Sequence, residues 1–459
     1  MEGLEAIEIL LSGLNEERRI DSQYFRKRYI AEDACRRHFR TITLGSQAFI
    51  TDGPHGYHVV DESSAIAMLT AKCAKQWFAD RSEADSIDVA THESSLRSSL
   101  EVDDLILSTR GTVGACALVE PEALPANIDQ DVARIAIQNG GDISPRFALA
   151  YLNSKFGQDW IERNSTGMVQ QGLSLAKVRE LPIPLLSVQI QDQISNLVRM
   201  ASSARKRSKE LMSSAENNLL HALGLNTWTP PEALNYVRSS SDAFAAGRLD
   251  SQFFAPRVEQ LLARLGRDGL TIADVAPARH ERFEPTATGD FDYIEIGSLG
   301  ADGTAVAEAV PMAEAPSRAT QYVRSGDVIT STVRPIRRLS ALINPDQDGA
   351  VCSSGFVVLE PRGVSSEVLL TYLRLPVVCE LMDLHTSATM YPAISEADLL
   401  SLPIPAIAPP VQQQIQADVR QAAQARQRAT QLLNAAKHAV EIAIEDSEAA
   451  ALTYLKGLM

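Results

Sequence analysis

Aromatic residues are scarce in this chain, at 5% of 459 residues. No apolar run reaches the length of about 18 residues that a membrane span needs, so no transmembrane helix is expected. The opening segment MEGLEAIEILLSGLNEERRI is acidic and amphipathic, and it lacks the basic start and the cleavage site of a signal peptide. Five cysteines (Cys35, Cys73, Cys116, Cys352 and Cys379) lie far apart, and no pair has metal-ligand spacing. They are expected as reduced thiols in a cytoplasmic protein, with no metal site. Positive charge is also lacking. The net charge of −15 argues, taken alone, against a nucleic-acid binder.

Catalytic signatures are missing too. There is no G-x-G-x-x-G and no P-loop, and His92-Glu93 lacks the second histidine of an H-E-x-x-H site. The diprolines in Thr229-Pro230-Pro231-Glu232 and Ala408-Pro409-Pro410-Val411 lack the flanking Asn/Asp and aromatic residues of an amino-methyltransferase loop. The chain is therefore expected to have no catalytic residues and no cofactor of its own.

What is present is a repeat. Leu181-Pro182-Ile183-Pro184 returns 221 residues later as Leu402-Pro403-Ile404-Pro405. At the same offset Tyr151-Leu152 meets Tyr372-Leu373, and Leu173-Ser174 meets Ile394-Ser395. Upstream, DDLILSTRGTVGACALV (103–119) resembles GDVITSTVRPIRRLSALI (326–343), and RIDSQYF (19–25) matches RLDSQFF (248–254). The blocks keep their order while the offset drifts by a few residues, as loop insertions would cause. The chain is a tandem duplication, roughly 1–222 and 223–459.

Each LPIP opens onto a glutamine-rich stretch free of Pro and Gly. Apolar or small residues fall at Ile190, Ile194, Leu197, Ala201, Ala204, Ser208, Leu211, Ala215 and Ala222. The steps alternate four and three, which is a heptad seam with Asn218 at one a position. The second copy keeps the register at Val411, Ile415, Asp418, Ala422, Ala425, Ala429, Leu432, Ala436 and Ala443. Two long helices are expected, each roughly 50 Å at about 1.5 Å per residue. The first carries the chain away from its own half, and the breaker TWTPPEAL (227–234) follows. The second can return beside it only by running antiparallel. The expectation is an antiparallel coiled coil with pseudo-two-fold symmetry and a globular half at each end. The prolines should stop regular structure at the exit from each half.

Within the halves the signals are mixed. DDLILSTRGTVGACALV reads as two short strands around a turn at Arg110-Gly111-Thr112. Residues Ile128 to Ile137 alternate like a strand, Arg146 to Arg163 read as one helix, and 165–174 read as a polar loop. The predicted fold class is α+β, with two tandem pseudo-symmetric domains.

These blocks together resemble the specificity subunit of Type I restriction–modification systems. RIDSQYF and RLDSQFF resemble that family's domain-opening segment. TDGPHG (51–56) resembles a turn early in its recognition domains, and DDLILSTRGTVG and GDVITSTVRP the strand–turn–strand near their middle. NSTGMVQQGLSLAKVRELPIPLLSVQIQDQI and its second copy resemble the loop, exit and helix that close each half. The second half departs from the pattern, with no TDGPHG and with Arg334-Pro335-Ile336-Arg337 in place of Arg110-Gly111-Thr112-Val113. The resemblance implies a first target-recognition domain at 1–186, a spacer helix at 187–224, a second recognition domain at 225–408, and a second spacer helix with a tail at 409–459. It implies double-stranded DNA as ligand and two adenine methyltransferase subunits as partners, with S-adenosylmethionine bound on the methyltransferase. It also leaves room for a restriction translocase or another defence effector.

Base readout needs side chains with paired donors and acceptors, carried on loops. The candidates are Ser108, Thr109, Arg110, Thr112, Gln170 and Gln171 in the first half. In the second they are Thr332, Arg334, Arg337, Arg338, Thr389 and Tyr391. His55, His58 and the basic cluster Arg26-Lys27-Arg28 with Arg36, Arg37 and Arg40 are candidate phosphate contacts, or equally solvated surface. Residues 271–401 carry more Asp and Glu than Lys and Arg, so the isolated chain should bind DNA weakly. The competing reading is a non-catalytic interaction scaffold that has lost DNA reading.

Overall fold

The computed structural model describes residues 21–56, 58–75, 77–167, 171–300, 302–386 and 392–458. Helix and sheet are mixed, as in an α+β fold. The chain divides into two compact units. One is Met1–Ala204 with Gln427–Met459, and the other is Arg205–Arg426. None of the described helices is long and apolar enough to cross a membrane.

In the discontinuous unit, strand Leu105–Ser108 lies at the middle of a five-stranded sheet. Its residues are all buried, and it pairs antiparallel with Cys116–Leu118 on one side and Val132–Ile137 on the other. The turn between the first two strands is the one expected at Arg110-Gly111-Thr112. The expected strand over 128–137 divides in two. Val132–Ile137 joins this sheet, whereas Ala126–Ile128 joins a separate three-stranded sheet beside Ile66–Leu69. Asp129 to Asp131 form the crossing.

The expected helix over 146–163 is also two helices, Pro145–Leu152 and Lys155–Asn164. Asn153 and Ser154 break it, and Ser154 donates both its N–H and its hydroxyl to Tyr151 O, at 3.0 and 2.6 Å. The chain folds back tightly here, because a Cβ at Gly157 would lie 2.4 Å from Tyr151 O.

The LPIP segment does not stop regular structure in this unit. Pro182–Pro184 is a short strand antiparallel to Thr41–Thr43. Backbone bonds join Leu44 to Leu181 and Leu185 to Arg40. In that alternation both prolines fall at positions whose N–H would point outward, where none is required. In the continuous unit the equivalent contact shrinks to a bridge between Thr271 and Pro403. Buried Tyr151 donates its hydroxyl to Pro182 O at 2.6 Å, and buried Tyr372 does the same to Pro403 O at 2.5 Å.

The continuous unit repeats the central ladder. Val328–Ser331 pairs with Ser340–Leu342 and with Phe356–Leu359. A second sheet orders Glu308–Pro311, Asp290–Ile294, Val351–Ser353 and Ala319–Tyr322 side by side. Serine caps recur as well. Ser144 and Ser365 cap equivalent helices, as do Ser174 and Ser395.

The long helices are Val188–Ala222 and Pro409–Glu445, of 35 and 37 residues. Each contributes to both units. In the discontinuous unit Ile190, Ile194, Leu197 and Ala201 share one apolar cluster with Ala429, Leu432, Ala436 and Ala443. In the continuous unit Ala215 and Leu219 share a cluster with Ile415 and Val419. There Ser208 Oγ donates to Ala422 O at 2.8 Å, while Ser214 Oγ donates to Asp418 Oδ2 at 2.9 Å. One helix's numbering rises as the other's falls. Asp418 is buried and also accepts from Asn218 and Gln414, so three neutral donors hold a carboxylate in an otherwise apolar seam.

Candidate nucleic-acid interface

Two loops meet in the discontinuous unit. The first follows strand Leu105–Ser108. Ser108 N donates to Ala115 O at 2.9 Å, and Gly114 N to Ser108 O at 3.0 Å. The buried Ser108 hydroxyl donates to Arg110 O at 2.8 Å. Buried Thr109 gives both its N–H and its hydroxyl to Asp131 O, each at 2.9 Å. Ser108 and Thr109 therefore build the loop and leave its surface to others. Arg110 and Thr112 are exposed. Arg110 Nη1 lies 3.2 Å from Asp131 Oδ1. Gly111 and Gly114 have φ of +75° and +96°, the left-handed region that favours glycine.

The second loop is closed by reciprocal bonds between Thr166 and Gly172, at 2.9 and 2.8 Å. It docks onto the first through Leu173 N, which donates to Thr109 O at 2.9 Å, and through a bridge between Arg110 and Gly172. Gln171 is exposed beside that joint, while Gln170 lies outside the described residues.

The continuous unit builds the same joint. The Ser331 hydroxyl donates to Val333 O at 3.0 Å, and Thr332 gives its N–H and hydroxyl to Gly355 O at 2.9 and 3.0 Å. Ile394 N donates to Thr332 O at 3.0 Å, and Val333 bridges Ala393. These bonds set the equivalence. Val333, not Arg334, holds the place of Arg110, and Gly355 holds that of Asp131. Arg334 and Arg338 stand where Gly111 and Gly114 do, with φ of +50° and +60°. A non-glycine residue there costs about 1–2 kcal/mol.

Arg338 has internal contacts that offset that cost. It is half-buried, its Nε donates to Arg374 O at 2.6 Å, and its other end pairs with Glu216. It braces the loop from within. Arg334 and Arg337 are exposed. With Arg318, Ile296, Val333 and Leu339 they line a cavity of about 420 Å³. Sequence reasoning missed Arg318. It precedes strand Ala319–Tyr322 in the other sheet, and its own carbonyl accepts from Ser354 N at 2.8 Å. Only the fold joins it to residues 334–337. Thr389 and Tyr391 lie outside the described residues.

The remaining basic candidates are largely engaged within the unit. Arg26 and Arg28 pair with Glu162, and Arg36 is buried beside Asp33 and Glu32. His55 sits 3.2 Å from Asp52, and His58 3.8 Å from Asp85. Among the described residues no group of three or more His, Cys, Asp or Glu could hold a metal ion.

Behind the Arg110 loop, Asp129 Oδ1 accepts from Asp131 N at 3.0 Å. Burial, with the charge of Asp131 added, pushes the Asp129 carboxyl up from 3.8 to about 6. A carboxyl raised in the folded state lends stability that is complete below the ordinary value and lost as pH rises through about 6. Asp129→Asn keeps the acceptor and removes the titration. The variant's melting temperature relative to wild type should rise between pH 4 and pH 7. A difference that stays constant over that range would rule this out.

No protein-family model and no curated protein matches the chain. Three solved structures are similar over most of its length. The S subunit of a Type I restriction–modification system from M. genitalium is 13% identical, with 89% of this chain and 95% of that one covered and a TM-score of 0.40. The HsdS subunit from Thermoanaerobacter tengcongensis is 15% identical, with 89% and 97% covered and a TM-score of 0.30. A chain from a study of type I R-M complex assembly is 17% identical, with 91% and 96% covered and a TM-score of 0.26.

Proposed function

We propose that this chain is the non-catalytic specificity subunit of a Type I-like restriction–modification or methylation-based defence complex. It reads a bipartite double-stranded DNA target and positions two adenine methyltransferase subunits, which carry S-adenosylmethionine. A restriction translocase or another effector completes the assembly. The observation that carries the reading is the duplicated joint. Matched serine and threonine bonds shape the first loop in each unit, and matched backbone bonds from Leu173 and Ile394 dock the second loop onto it, yet the exposed residues differ. A repeated frame with unlike surfaces suits the reading of two unlike half-sites. Arg110, Thr112, Gln170 and Gln171 serve the first half-site. Arg334, Arg337, Thr389 and Tyr391 serve the second, the two arginines at its backbone. Ser108, Thr109, Thr332 and Arg338 hold the loops.

The long helices act in this reading as an antiparallel coiled-coil spacer that sets the unread gap. A matched insertion of four residues in both helices adds about 6 Å of rise. It should lengthen the gap and leave the half-site sequences unchanged. Reconstitution with the methyltransferase and S-adenosylmethionine, followed by methylation-sensitive sequencing, tests both points. A single continuous target, or a gap that ignores the insertion, counts against the spacer. The net charge of −15 favours the second reading, a scaffold without DNA readout. DNA binding with the methyltransferase present separates the two.

A further inference from the structure

We propose that the cleft lined by Arg318, Arg334 and Arg337 binds a phosphate of the DNA backbone, so that the continuous unit anchors its half-site by charge at this point. The inference rests on the DNA-reading function above and adds Arg318 to the site. Three guanidinium groups line one small cleft whose remaining walls are the apolar Ile296, Val333 and Leu339. All three arginines are exposed, and neither Arg318 nor Arg337 has a carboxylate partner among the described residues. In the other unit the corresponding loop offers Arg110, already matched by Asp131.

The number of cations selects the ligand. A guanine edge offers two acceptors to one guanidinium, so one arginine satisfies it. Three positive groups around one cleft call for a bare anion with several oxygens, and a phosphodiester supplies that on every sequence. The apolar walls suit the sugar next to it.

The backbone at Arg334 supplies a test that separates ligand binding from folding. Arg334 occupies a glycine-type conformation where the other unit has Gly111. Arg334→Gly removes the side chain from the cleft and relieves the backbone. The full-length variant should remain folded, as its melting transition will show, yet bind DNA more weakly.

The experiment measures binding of the full chain, reconstituted with the methyltransferase, to duplexes of unrelated sequence from 50 to 200 mM salt. Tripolyphosphate binding is measured in parallel. Arg318→Ala, Arg334→Gly and Arg337→Ala should each weaken all duplexes by a similar factor. Removing all three together should lower the slope of log affinity against log salt by about 0.9, the loss of one phosphate contact, and each single variant by part of that. Weakening confined to one sequence, with an unchanged slope, would overturn the proposal in favour of base reading. Unchanged binding in all three variants would also overturn it. If the wild-type complex ignores every duplex but the chain binds tripolyphosphate through these arginines, the DNA function fails and the anion site stands.

Discussion

Replacing Arg134 by methionine should destabilise the full chain by about 3–5 kcal/mol. Arg134 lies in strand Val132–Ile137, and its side chain is 9% exposed. Its Nε donates to Asp104 Oδ2 at 2.7 Å, and Asp104 is 6% exposed. The same carboxylate oxygen accepts from Glu101 N at 2.8 Å and so closes the turn that enters strand Leu105–Ser108. Removing the guanidinium leaves a charge stranded in the interior beside the central ladder. Burial pushes the Asp104 carboxyl up even with Arg134 in place. Adding Asp104→Asn to the variant should recover most of the loss, because the neutral amide tolerates burial. Equilibrium denaturation measures both, and a loss below about 1 kcal/mol in the single variant would refute the claim. The continuous unit holds Asp327 in the same turn, but its partner there is Arg279, at 2.8 and 3.0 Å. Arg279 is 23% exposed, so Arg279→Met should cost less.

Arg110→Ala should relax one half-site and spare the other. Under the proposed function Arg110 is the exposed guanidinium at the joint of the two loops, with Asp131 holding it from behind. A lost bidentate base contact costs about 1–3 kcal/mol at one position, roughly 5- to 150-fold in discrimination. Val333 occupies the equivalent place in the other unit, so no counterpart substitution there should mimic the effect. Mapping methylated sites for the variant complex decides the point. Uniform weakening on all sequences would make Arg110 a phosphate contact instead.

Much of this was legible in the sequence because duplication prints the same chemistry twice. The serine caps and the Tyr–Pro carbonyl bonds appear as matched residues 221 apart, and the Ser–Thr loop bonds as matched residues 223 apart. The turn at Arg110-Gly111-Thr112 and the two long helices were legible for the same reason. Setting Arg334 against Arg110 is a slip of one residue. The second turn has one residue more than the first; residues 104–109 over 327–332 already set Val333 against Arg110, and the hydrogen bonds from Ser331 and Thr332 agree. Arg338 looked like a reader because sequence cannot tell an outward arginine from one bonded to Arg374 O and Glu216. The helix break at Asn153-Ser154 was hidden by good helical periodicity on both sides. Arg318 carried no local signal, since its place depends on sheet order across the unit.

The division of the chain also imposes an order on its synthesis. The unit that begins first in the sequence ends last, because its core includes Ala429, Leu432, Ala436 and Ala443. A ribosome releases Ile190, Ile194 and Leu197 long before those residues emerge. The later unit, Arg205–Arg426, is contiguous and can close while the earlier one still waits for its final helix. During that interval the nascent chain carries an uncovered apolar stripe. A message truncated anywhere before residue 427 would yield a chain whose first unit never completes, and such a product is a substrate for chaperones and proteases rather than a half-functional reader.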